Sequence, residues 1–137
     1  MENYFEMNMT KAQADAISNL GLAHIGDGVF ELLTRSWLCG HERLTVGRMH
    51  KDTIALVNAT AQAKFVDKLL PLLSEEEKAL YRRGKNSHVH AVPKSCTPAE
   101  YAKATGPEAL FGGLYLLGRT ERINELFVTV MEELYGI

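Results

Sequence analysis

The chain has 137 residues, of which 46% are hydrophobic and 23% charged, with a formal net charge of −2. That length supports one domain with one core, and the composition excludes collagen-like and disordered classes. No stretch reaches the roughly 18–20 apolar residues of a membrane span, and two cysteines, Cys39 and Cys96, are too few for a disulfide framework.

The N-terminus, Met1-Glu2-Asn3-Tyr4-Phe5-Glu6, lacks the basic segment and apolar run of a signal peptide, so a cytoplasmic location is expected. Helical periodicity then dominates the chain. A short helix is expected over about 10–19, with Thr10 as N-cap and Gly21 just past its end. A second, over about 22–39, is stopped by Gly40. Its core face is read as the stripe Ile25, Val29, Leu32, Ser36 and Trp37, with Leu22 and Leu33 beside it. A third, over about 46–71, is apolar on one face through Ile54, Val57, Ala61, Phe65, Leu69 and Leu70, with Pro71 at its end.

Ser74-Glu75-Glu76-Glu77 is a capping box, and the helix it opens is expected to end at Arg82-Arg83-Gly84, with Gly84 as a left-handed cap. Lys85 to Ser95 reads as a polar loop. Thr97-Pro98-Ala99-Glu100 starts another helix, with proline at its first position. Glu108 to Leu117 is apolar nearly all round and should be buried on most sides. Thr120 opens a last amphipathic helix running to about Tyr135. The expected fold class is all-α, with residues 1–137 as a single domain.

Four features carry candidate chemistry. Asp27 stands between Gly26 and Gly28 inside a helix, where each glycine costs about 1 kcal/mol relative to alanine. Glycine there leaves room for a close approach to the backbone. His24, Glu31 and Arg35 share the Asp27 side; the alternative reading is an ordinary solvated face. Glu108 is the only charged residue between Lys103 and Arg119, and a carboxylate in so apolar a stretch calls for a partner or a metal. Its alternative is a second capping box, Thr105-Gly106-Pro107-Glu108. Two carboxylates from separate helices can converge on a hard divalent cation.

The third feature is a basic segment. From Lys78 to Lys103 the cations are Lys78, Arg82, Arg83, Lys85, Lys94 and Lys103 against the single acid Glu100, a local charge of +5. Its turn Arg82-Arg83-Gly84-Lys85-Asn86 suits phosphate contacts, although cations in a last helical turn also complement the helix dipole. The fourth is His88-Val89-His90, which has metal-ligand character but no third ligand close in sequence.

Together these motifs resemble a known family. Leu22-Ala23-His24-Ile25-Gly26-Asp27-Gly28-Val29-Phe30-Glu31 resembles the signature helix of the ribonuclease III family, and Glu108-Ala109-Leu110-Phe111-Gly112-Gly113-Leu114-Tyr115-Leu116 is similar to its second acidic motif. Met49-His50-Lys51, Val57-Asn58-Ala59, Ala61-Gln62-Ala63 and Arg82-Arg83-Gly84-Lys85-Asn86 are similar to the Mini-ribonuclease III branch. The chain ends where other members continue into a double-stranded-RNA-binding domain, which also fits that branch.

The resemblance implies a homodimeric all-α endoribonuclease. It would cleave double-stranded RNA with magnesium, for which manganese can substitute, leaving 5′-phosphates and short 3′ overhangs. For the branch it implies maturation of the ends of the large-subunit (23S) ribosomal RNA precursor. It makes Asp27 and Glu108 the metal-binding catalytic carboxylates. His50, Lys51, Arg82, Arg83, Lys85 and Asn86 would face the RNA backbone. The wider family has acids where this chain has Ala23 and Thr105, so two of four acidic positions are missing. Glu31, one turn after Asp27, is a candidate additional acid. The alternatives are a non-catalytic double-stranded-RNA-binding relative and a helical dimer that acts as an interaction module.

Overall fold

In a computed structural model of the protein, the described residues are 1–41, 59–86 and 97–136. They form six α-helices and, among the described residues, no strand: α1 (Lys11–Asp15), α2 (Asn19–Gly40), α3 (Ala59–Leu69), α4 (Glu75–Lys85), α5 (Pro98–Leu116) and α6 (Thr120–Tyr135). The fold class is all-α, as expected. His50, Lys51, His88, His90, Lys94, Cys96 and the first part of the expected third helix lie outside the described residues.

The local signals read from the sequence hold where they depend on neighbours in the chain. Thr10 and Gln13 make one capping box, and Ser74 and Glu77 make another. Pro98 opens α5, and α6 runs over the expected residues. Pro71 lies in a 3₁₀ turn, Leu70–Leu72, that ends α3. The first helix is shorter than expected. It stops at Asp15, and Ser18 caps a new helix by accepting from the Gly21 N–H. Gly21 is therefore inside α2 rather than beyond α1, because a serine cap upstream outcompetes it.

The core face of α2 also differs from the expected stripe. Its buried residues are Leu22, Ala23, Gly26, Phe30, Thr34 and Leu38. Ile25 and Leu32 are 37% and 57% exposed. The small residues decide this, since they let α2 lie against α5 at backbone distance. A Cβ on Gly26 would fall 1.4 Å from the Glu108 carbonyl oxygen, and one on Gly112 would fall 2.0 Å from that of Leu22. The order of these contacts shows that α2 and α5 run antiparallel. The buried Thr34 hydroxyl is satisfied by donating to the Phe30 carbonyl at 2.9 Å.

Helix α5 is the centre of the molecule. Ala109, Leu110, Phe111 and Leu114 are fully buried. It runs unbroken through Pro107, so residues 105–108 are helix interior and not a second helix start. On its other side it meets α4, where Gly84 faces the Thr105 carbonyl so closely that a Cβ would sit 2.0 Å away. Gly84 is thus a packing glycine within α4, and Asn86 caps that helix instead. Four helices each contribute one phenylalanine to a common cluster. Phe30, Phe65, Phe111 and Phe127 have ring centroids 5.2–6.2 Å apart, most of them edge-on or tilted, while Phe30 and Phe111 stack at 17°. Such pairs add about 0.5–1.5 kcal/mol each beyond the area they bury.

One ion pair joins the periphery. Glu77 is 4% exposed, and Arg122 of α6 grips both its oxygens at 2.8 and 2.9 Å while also donating to the Leu72 carbonyl at 2.9 Å. The Arg122 hydrogen bond, more than any other contact, holds the Glu77 carboxyl below the usual carboxylate range.

Candidate active site

The crossing of α2 over α5 brings the two singled-out carboxylates into one cleft. Asp27 follows Gly26, and Gly26 rests on the Glu108 backbone. The two helices therefore present their acids from the same point of contact. The cleft has a volume of about 390 Å³. Leu20, Ala23, His24 and Asp27 line it from α2, and Ala104, Thr105 and Glu108 from α5.

The two glycines flanking Asp27 have different reasons. Gly26 is required by the helix crossing, whereas a Cβ on Gly28 would meet nothing within 4 Å. The close approach expected from the sequence is thus made by the protein's own α5, on one side only. Asp27 is exposed and Glu108 half-buried. Burial pushes the Glu108 carboxyl up to about 8, and the Asp27 charge pushes in the same direction. Neither acid has an ion-pair or hydrogen-bond partner among the described residues. The capping role considered for Glu108 is removed by the continuous helix through residue 105.

Ala23 and Thr105, where the resemblance leads one to look for further acids, both reach this cleft and are 5% and 4% exposed. Glu31 does not line it. Its carboxylate pairs with Arg35 at 2.5 Å, one turn further along the exposed face. His24 does line it and is exposed. The sequence placed His24 beside Asp27 without giving it a role.

The basic turn is divided by the structure. Arg83 is half-buried and turned inward, donating to Asn19 Oδ1 at 2.7 Å and to the Ile17 carbonyl. It ties the end of α4 to the start of α2. Arg82, Lys85 and Asn86 are exposed.

The donor set suits a hard cation. Two carboxylates share one cleft without a cationic partner among the described residues, and the Asp27 charge adds to the burial that disfavours ionisation of Glu108, a strain that a divalent ion relieves. Magnesium is commonly held by one or two carboxylates, with water and substrate phosphate filling its remaining positions. Among the described residues no group of three His, Cys, Asp or Glu side chains is placed to hold a metal, so what they offer a cation is a pair of carboxylates and not a closed cage. No described helix is long and apolar enough to cross a membrane.

Comparison with known proteins identifies the family. Residues 20–119 match the ribonuclease III domain. The chain is 44% identical over 107 residues to a Mini-ribonuclease 3 of Symbiobacterium thermophilum, covering 78% of this chain and 82% of that one. It is 43% identical over 128 residues to a Mini-ribonuclease 3 of Thermoanaerobacter sp., covering 91% and 90%. A crystal structure of a Fusobacterium nucleatum protein superposes with a TM-score of 0.75 at 34% identity, covering 86% of this chain and 94% of that one.

Proposed function

The chain belongs to the ribonuclease III family and is an endoribonuclease; from that premise we propose that it hydrolyses double-stranded RNA with magnesium held by Asp27 and Glu108. The observation that carries this reading is the meeting of the two carboxylates, unpartnered, where α2 crosses α5. Manganese would substitute, being another cation that oxygen ligands suit. Bound there, the metal supplies Lewis-acid stabilisation of the charge that develops during phosphodiester hydrolysis. The two acids would hold that ion in place. Gly26 fixes the spacing of the two acids, and the half-burial of Glu108 keeps bulk water from screening it.

Arg82, Lys85 and Asn86, with His50 and Lys51 outside the described residues, are assigned to the RNA backbone, which a duplex-reading protein contacts for shape and not for sequence. Arg83 would support them by anchoring the turn through Asn19 and Ile17. The wider proposal is a homodimer of single-domain chains that produces 5′-phosphate ends and matures the 23S ribosomal RNA precursor in the cytoplasm. Ile25 and Leu32, exposed on α2 away from the core, are the apolar residues of the proposed dimer face. Glu31 stays a candidate outer carboxylate, one turn beyond Asp27.

Incubation of duplex RNA with the protein, with magnesium or with chelator, tests the reading. Asp27→Asn and Glu108→Gln should each lower cleavage by about 100-fold or more while leaving duplex binding in place. Cleavage that survives chelation, or either substitution, would overturn the metal assignment. Binding without cleavage by the unsubstituted chain would instead favour an RNA-binding relative, and absence of both an interaction module.

A further inference from the structure

We propose that His24 is a substrate-contacting residue of this site, its imidazole donating a hydrogen bond to a non-bridging oxygen of the scissile phosphodiester. The inference rests on the hydrolase reading above and extends it by one residue. His24 precedes Asp27 by three positions on α2, a spacing that stacks their side chains on one helix face with Cβ atoms about 5–6 Å apart. Its ring lines the same cleft as Asp27 and Glu108.

Three observations separate it from its neighbours. Among the described lining residues it is the only side chain that carries nitrogen; the others are two carboxylates, one threonine and three aliphatic side chains. It is exposed, and none of the described residues makes a hydrogen bond or ion pair with its ring. It also does not complete a three-ligand metal cluster with the two acids, since no such cluster occurs among the described residues. An exposed imidazole without a partner among the described residues, beside a doubly acidic cleft, is suited to meet the phosphate. The acids repel that group, and a metal held by them would offset part of that repulsion. The imidazole gives the remaining oxygen a directed donor.

The test is a duplex RNA whose cleavage position has been mapped, made with either phosphorothioate diastereomer at that position. His24→Ala should lower kcat by about 10–100-fold with little change in KM, as removal of one preorganised donor does. His24→Gln, which keeps an N–H donor, should recover part of the loss. For one diastereomer, sulfur should slow the unsubstituted enzyme yet add no further slowing to His24→Ala, because residue and oxygen form one interaction. Unchanged thermal unfolding in both variants is expected for an exposed side chain. Equal kcat for His24→Ala and the unsubstituted enzyme overturns the proposal alone, and so does full additivity for both diastereomers. An unsubstituted chain that leaves the duplex uncut overturns the hydrolase reading and this proposal with it.

Discussion

The backbone of Gly26 lies against the carbonyl group of Glu108, so that a Cβ at residue 26 would stand 1.4 Å from the oxygen. No side-chain adjustment relieves such an overlap; one helix must move. Gly26→Ala should therefore destabilise the protein by about 2–3 kcal/mol or more, and should depress cleavage about 100-fold where the fold survives, by displacing one acid from the other. Gly28→Ala is the control. With nothing within 4 Å of its Cβ, it should be neutral or stabilising by up to about 1 kcal/mol. Urea unfolding of the two variants side by side separates the roles; equal effects would remove the packing account of the motif.

The Glu108 carboxyl makes stability depend on pH in a definite direction. Its ordinary value is 4.5, and burial raises it to about 8 in the folded protein. At pH 4 the group is protonated in both states and makes no difference. As pH rises from 4.5 towards 8 the unfolded chain gives up the proton while the folded chain keeps it, so stability falls across that window and levels off above it. Glu108→Gln removes the dependence. Without metal it should be more stable than the unsubstituted protein at pH 8.5 by about 2–4 kcal/mol, and similar to it at pH 4. Added magnesium should raise the Tm of the unsubstituted protein at pH 8.5 and not that of Glu108→Gln. Thermal melts at the two pH values decide the matter.

Glu77 behaves in the opposite sense. Arg122 lowers its pKa, so its contribution is present above the ordinary carboxylate value and is lost as pH falls through the lowered one. Glu77→Ala leaves Arg122 with the Leu72 carbonyl and the exposed Glu125 carboxylate, and breaks the Ser74 capping box as well. A loss of about 2–3 kcal/mol is expected, discounted because Arg122 keeps partial contact with water. Chemical denaturation at pH 7 measures it, and cleavage at permissive temperature should be unaffected.

Ala23 and Thr105 line the cleft beside the two acids. Ala23→Glu should lower the magnesium concentration needed for half-maximal cleavage by several-fold, since a third carboxylate would share the ion. A metal titration of duplex cleavage gives the answer, and an unchanged or higher requirement would show that this wall does not face the ion.

Leu32 is 57% exposed on a helix whose other side is packed. If α2 forms the dimer face, Leu32→Asp should shift the protein towards the monomer by at least about 10-fold in dissociation constant. Sedimentation equilibrium tests this directly.

The features legible in the sequence were those set by nearby residues. Thr10 and Ser74 announce helix starts because a cap is satisfied within one turn, and Pro98 because its missing N–H and fixed φ suit a first helical position. The face of α2 was not legible from apolar spacing. Gly26 is buried because it lets α5 reach its backbone, and Ala23 is buried on the same side, while the larger Ile25 and Leu32 stay outside. Gly84 was misread for the same reason, as its partner is the Thr105 backbone of another helix. Arg122, the partner of Glu77, is 45 residues away and left no local trace. Within the site, the two acids stood out by their surroundings in the chain. The inward turn of Arg83 and the place of His24 in the cleft required the fold.

The stacked rings of Phe30 and Phe111 bear on the site from within the core. Phe30 follows Asp27 by three residues, and Phe111 follows Glu108 by the same three. The stack acts as a register pin: α2 cannot slide along α5 without parting rings that two further phenylalanines enclose. The alignment of the acids is thus stored in hydrocarbon buried from solvent, and a repacked core would first be felt as a misalignment of Asp27 and Glu108 in a protein that still folds.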